Sequence, residues 1–170
     1  KLIMKKVIII ILVCLLTPLK SQASDTSLIE IRELFYQATH SSEAADLLNT
    51  ILTDNVISKD ITLQGYKGVS LMLLAKYTLN PYKKIYYFNQ GKIALDNAIR
   101  EQVENIELRY LRYTVQLKAP QFLNYEYALS NDLNFIMEHL CEISDLDLKS
   151  RIEHFLDQNN SSSIEVKYLK

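Results

Sequence analysis

Arg109, Arg112 and Gln116 recur at i, i+3 and i+7, so a helix through them carries all three on one face. Tyr82, Lys83, Lys84, Tyr86 and Tyr87 fall in the segment expected to form the adjoining half of a helical hairpin. Arginine and tyrosine are enriched at binding hot spots because each joins a large contact area to a hydrogen-bonding end. Tyr82, Lys83, Tyr86, Arg109, Arg112 and Gln116 are therefore the candidate binding residues, for a protein or peptide partner. The plainer reading makes the tyrosines amphipathic core and rim residues and pairs the arginines with Glu104 or Glu107.

Other constellations are thinner. His139 and Glu142 are three apart on an expected helix and could point the same way, as paired metal ligands must. The chain has three histidines, and His40 and His154 offer no second ligand at a matching spacing, so a solvated helix face is the commoner origin of such a pair. Cys141 sits between Leu140 and Glu142, close to Ile143, and reads as a small buried apolar residue; a reactive thiol would need a basic neighbour. There is no Gly-rich phosphate loop, nucleophile elbow or His-Glu-x-x-His motif. No cofactor is expected, and no catalytic residue is assigned. Asn159-Asn160-Ser161 would be a glycosylation sequon in a host that glycosylates.

The chain of 170 residues is long enough for one domain with a sizeable core. With three glycines and three prolines it lacks the turn residues of an all-β barrel, which favours helices on short loops. Residues 1–23 read as a cleaved signal segment. Lys1, Lys5 and Lys6 give a basic start, with Met4 read as the initiator; Val7 to Leu16 is apolar throughout, and Ser21 and Ala23 supply the small residues of a cleavage site. The apolar run is too short for a spanning helix, which needs about 20 residues. Cys14 follows Val13 inside that run, where a lipoprotein signal carries a small residue, so lipid anchoring is not expected. Export to the periplasm or outside the cell is the expectation, with no stable membrane insertion after cleavage.

Loss of residues 1–23 removes four lysines and no acids, leaving 15 basic against 20 acidic groups, near −5. An acidic balance disfavours general nucleic-acid binding, which rests on basic patches. Cys141 is then the remaining cysteine, so no internal disulfide is possible and stability rests on the core.

Hydrophobic periodicity predicts about seven helices in a single domain over residues 24–158, with a polar tail over 159–170. Ser27 and Glu30 have capping-box spacing ahead of an apolar stripe at 28, 31, 35 and 38. A second helix starts at Ser41-Ser42-Glu43. Residues 61–79 lose their polar face and predict a helix buried on several sides, with Gly65 and Gly68 admitting a close neighbour. Asn80-Pro81 and Ala119-Pro120 are expected to stop helices. Residues 82–101 and 105–118 follow; the latter carries Leu108, Leu111 and Val115 on one face and Tyr110, Tyr113 and Leu117 on another. Two further helices, 129–143 and 146–156, direct Leu133, Ile136, Met137 and Leu140 inward from the first, and Leu148, Ile152, Phe155 and Leu156 from the second.

The spacing Gly91, Leu95, Ala98 resembles the second-helix signature of tetratricopeptide-like repeats. Val103 to Tyr110 resembles the turn that opens the next repeat, with Val103 where the family prefers proline. Tyr77 and Leu117 close their helices before Pro81 and Pro120, and Tyr86 and Tyr125 each follow a proline by five, an echo at 39 residues rather than the usual 34. The likeness covers Ile61 to Pro120. Gly65-Tyr66-Lys67-Gly68 and Asn80-Pro81-Tyr82 also resemble small secreted bacterial proteins, which implies a fold and no activity. The fold expected is an all-α array of antiparallel hairpins, a tetratricopeptide-like solenoid. The function expected is an exported, non-enzymatic protein- or peptide-binding module of the cell envelope. The alternatives are a small metal-binding protein or hydrolase using His139 and Glu142, and a structural subunit of an envelope assembly.

Overall fold

The computed structural model describes residues 27–54 and 59–160. The expected signal segment, and residues 161–170 of the expected tail, lie outside the described residues. Within them the chain is all-helical: α1 (Leu28–Ala38), α2 (Ser42–Asp54), α3 (Ile61–Tyr77), α4 (Pro81–Glu101), α5 (Ile106–Lys118), α6 (Leu129–His139) and α7 (Leu146–Asn160). Short 3-10 turns, Gln121–Leu123 and Leu140–Glu142, follow α5 and α6.

The helix starts follow from local chemistry. At α1 the Ser27 hydroxyl accepts from the Glu30 amide at 3.3 Å, and the Glu30 carboxylate accepts from the Ser27 amide at 2.9 Å. Asp60, Asn80 and Asn105 each accept two first-turn amides at α3, α4 and α5. Pro81 fills the first position of α4, where its missing N–H costs nothing. Asn80-Pro81 thus starts one helix more directly than it stops another, since α3 ends earlier, at Tyr77.

Two apolar cores share α5. Leu108 and Leu111 join residues of α1 to α4, including Ile31, Leu48, Val69 and Leu95. Tyr110 and Tyr113 turn the other way, into a second core with Leu129 and Ile136 of α6 and Leu148, Ile152 and Leu156 of α7. The two-faced reading of this helix is borne out. α3 and α4 are the closest pair, and glycine makes the approach possible. A Cβ on Gly68 would stand 2.7 Å from the Leu95 amide nitrogen and 2.8 Å from the Gly91 carbonyl oxygen. One on Gly91 would collide with the Gly68 carbonyl oxygen.

Three expectations need correction. Met137 faces solvent, because it lies one residue, about 100° of helix, from the fully buried Ile136. Cys141 is exposed, because α6 ends at His139 and a 3-10 turn redirects the following side chains. The last helix runs past residue 156 to Asn160. Asn159 is buried in it, donating to the Phe155 carbonyl and accepting from the Lys118 ammonium. The first asparagine of the sequon is therefore inside the fold.

Candidate functional site

The six candidate binding residues do not form one surface. Tyr82, Lys83 and Tyr86 project into solvent from the first turns of α4, with the two tyrosines 84% and 61% exposed. Arg109, Arg112 and Gln116 face inward. The Arg112 guanidinium grips Asp132 of α6 through two hydrogen bonds of 2.6 and 2.8 Å, and reaches Asp96 at 3.4 Å. Arg109 donates to Asp132 at 3.2 Å and to the Val103 carbonyl at 2.7 Å, while its guanidinium lies 4.2 Å from the Phe135 ring centre. Gln116 is completely buried, and its amide has no hydrogen-bond partner among the described residues.

The expected acidic partners, Glu104 and Glu107, are replaced by Asp132 and Asp96. The reason is helical phase: Glu107 precedes Arg109 by two residues and points to the opposite side of α5. There it meets Arg32 of α1.

That meeting is the floor of a site the sequence did not reveal. Arg32 is buried in the middle of the apolar stripe of α1. Its Nε and one terminal nitrogen donate to the two Glu107 oxygens at 2.7 and 2.8 Å. The guanidinium also holds Asp147 at 3.0 Å and Asp145 at 2.8 Å, at the start of α7. The Tyr66 hydroxyl of α3 donates to Glu107 at 2.7 Å. Further along α7, Arg151 bridges Asp147 at 3.0 Å and Glu33 of α1 at 3.3 Å. Two arginines therefore tie the first described helix to the last.

Above this floor lies a cleft of about 200 Å³. Its walls are Arg32, Glu33, Phe35 and Tyr36 from α1, Tyr66 from α3, Tyr110 from α5, and Leu148, Arg151, His154, Phe155 and Gln158 from α7. The aromatic walls interlock edge to face, Phe35 on Tyr66 at 5.8 Å and Tyr110 on Phe155 at 5.7 Å. Only alternate helices contribute.

Burial and ion pairing set the charge states around the cleft. Burial, reinforced by the Glu107 carboxylate, pushes the Tyr66 phenol well above its usual range, and burial does the same to Tyr110. Hydrogen bonding from Arg32 holds Asp145 below the usual carboxylate range. Burial works against ionisation of Asp147, but the hydrogen bonds from Arg151 and Arg32 outweigh it and its carboxyl is also lowered. At neutral pH Tyr66 and Tyr110 therefore keep their protons, while Asp145 and Asp147 stay ionised against Arg32 and Arg151.

His139 and Glu142 are placed separately from this cleft. The His139 Nδ1 donates to the Phe135 carbonyl at 2.8 Å, and its ring stacks on Phe135 at 4.1 Å. Glu142 falls in the 3-10 turn beyond the helix. Among the described residues no group of three or more His, Cys, Asp or Glu side chains is arranged to hold a metal ion.

Sequence reasoning missed Arg32, Tyr66, Tyr110, Arg151 and His154. A usable signal existed in part: Arg32 and Glu107 each interrupt an apolar stripe, and charges in such positions are buried as pairs or not at all. Their partnership across 75 residues is a product of the fold. Comparison of the chain with models of known protein families, with curated proteins and with solved structures gave no match.

Proposed function

We propose that the protein is an exported, non-enzymatic binding module that takes a peptide segment of another protein into the cleft between α1 and α7. The observation that carries this reading is the origin of the walls: α1, α3, α5 and α7 contribute and α2, α4 and α6 do not. Alternate helices line the inner surface of an array of helical hairpins, the surface such repeats use to bind extended partners. The tetratricopeptide-like resemblance over Ile61 to Pro120 belongs to the same reading.

Size and chemistry narrow the occupant. Small-molecule sites enclose roughly 300–1,000 Å³. A cleft of about 200 Å³ suits one large side chain of a peptide better than a free cofactor. Its aromatic walls favour an aliphatic or aromatic anchor, with Tyr36 and His154 at the rim to meet the flanking backbone. An anchor of this kind, inserted among tyrosines and arginine, has the composition of an interface hot spot.

The test is selection from a displayed library of random peptides, followed by measured affinities for the protein and for a Tyr36→Ala/His154→Ala variant. Both side chains are solvent-accessible enough to replace without opening the core. Peptides sharing an apolar anchor, bound at least about tenfold more weakly by the variant, would support the reading. Binding indifferent to both substitutions would sink it.

A further inference from the structure

The end of the molecule where α3 passes into α4 carries side chains that neither core uses. Leu79 stands at the tip of the connection and is 98% exposed. Tyr82, Ile85 and Tyr86 follow at one-turn spacing on the outer face of α4, and each is more exposed than buried. Phe122, also largely exposed, follows α5 at this same end: α4 and α5 are joined by four residues and run back on each other, and Tyr125 packs edge-on against Phe88 of early α4 at 5.6 Å.

Along the stretch from α3 into early α4 the charge has one sign; the acids at this end, Glu43 and Glu126, belong to other elements. From Ile61 to Leu95 the chain carries five lysines and no aspartate or glutamate. Lys67 and Lys92 are engaged with the body of the protein, on Asn49 and over the Tyr125 ring, and Lys76 donates to the Thr39 carbonyl. Lys83 and Lys84 are exposed in the first turn of α4, and among the described residues no hydrogen bond or ion pair holds either ammonium. On a chain with a net charge of −1, this is a local reversal of sign.

We infer that this end of the protein is a docking surface for an anionic lipid bilayer, with Leu79, Tyr82, Ile85 and Tyr86 entering the interfacial layer and Lys83 and Lys84 meeting the headgroups. Three features select this occupant. Leu79 is 98% exposed and Tyr82 84%, so the described residues do not enclose the patch. An acidic protein or a nucleic acid would satisfy the lysines but leave Leu79 and Ile85 against polar groups. A bilayer interface offers both environments in order of depth, and tyrosine is enriched at that boundary for the same reason. Lysine stems lie along apolar surface while their ammonium groups stay among phosphates. Attachment is peripheral: no described helix is long and apolar enough to cross a membrane. The surface is separate from the cleft, so the two proposals can fail independently.

Vesicle flotation tests the inference with phosphatidylcholine vesicles and with vesicles containing phosphatidylglycerol, at low and high salt. The protein is expected to float with the anionic vesicles at low salt and to stay with the soluble fraction when the lipid is uncharged. A lysine near an anionic surface contributes about fivefold to partitioning, so Lys83→Gln/Lys84→Gln should weaken binding roughly 30-fold. Leu79→Ser/Tyr86→Ser should weaken it by at least as much, with an unchanged thermal transition because both residues are exposed. Val103→Ser, an exposed apolar residue at the opposite end of α4, should float like the parent protein. Absence of flotation, equal loss in the Val103 variant, or indifference to Leu79→Ser/Tyr86→Ser would overturn the inference. So would salt-sensitive capture by RNA or an acidic protein in preference to the vesicles.

Discussion

Gln116 is the residue whose neighbourhood fits it least. Its amide is enclosed without a hydrogen-bond partner among the described residues, and stranding a polar group in this way costs about 1–3 kcal/mol. Gln116→Leu keeps the volume and removes the amide, so it should raise stability by about 1 kcal/mol and the melting temperature by about 2–4 °C. Differential scanning calorimetry reads this directly; a lower melting temperature would mean that the amide is satisfied in solution. The buried phenols make a second statement at this scale. Burial raises Tyr66, Tyr110 and Tyr125, and burial with the Asp96 hydrogen bond pushes Tyr127 up to about 12. Unfolded tyrosines ionise near pH ~10, so the folded state binds their protons more tightly. Their contribution is intact below pH ~10 and is lost as pH rises toward the folded values. Urea midpoints should therefore fall steadily above pH ~10, with tyrosinate absorbance appearing together with unfolding rather than before it.

Single helices were the most legible part of the sequence. The capping box of Ser27 and Glu30 depends on neighbours within four residues and was read, whereas Asn80 was taken for a stop and caps α4 instead; an apolar period reports which face is covered. The two faces of α5 could be read because leucines and tyrosines separate by phase along one helix. What covers each face could not. The Arg109 and Arg112 side of α5 looked solvent-facing until α6 placed Asp132 against it, and no local rule announces that neighbour. Packing of α3 on α4 makes the sharpest test at this scale. Alanine is the better helix former by about 0.5–1 kcal/mol, so Gly→Ala stabilises an unconstrained helix. At Gly91 the new methyl would meet the Gly68 carbonyl and the Met72 backbone, which cannot step aside cheaply. Gly91→Ala should cost about 1–3 kcal/mol or more, as overpacking does. Gly65→Ala should cost less, since its obstacle is the end of the Leu108 side chain.

The whole molecule is closed by a relation between its two ends. Arg32 and Arg151 fasten α1 to α7, and the cleft lies where the two meet over α3 and α5. The all-α class was readable from composition and period. The cleft was not, because it brings together residues as distant as Glu33 and Arg151, 118 positions apart, and depends on which helices face inward after the chain has closed. Selection of peptides against the folded protein decides whether the cleft binds. Enriched sequences should carry one aliphatic or aromatic anchor, with an affinity that falls at least about tenfold with Tyr36→Ala/His154→Ala and is unchanged by Lys83→Gln/Lys84→Gln. Peptides that bind equally well to the cleft variant, or an absence of enrichment, would contradict binding in the cleft.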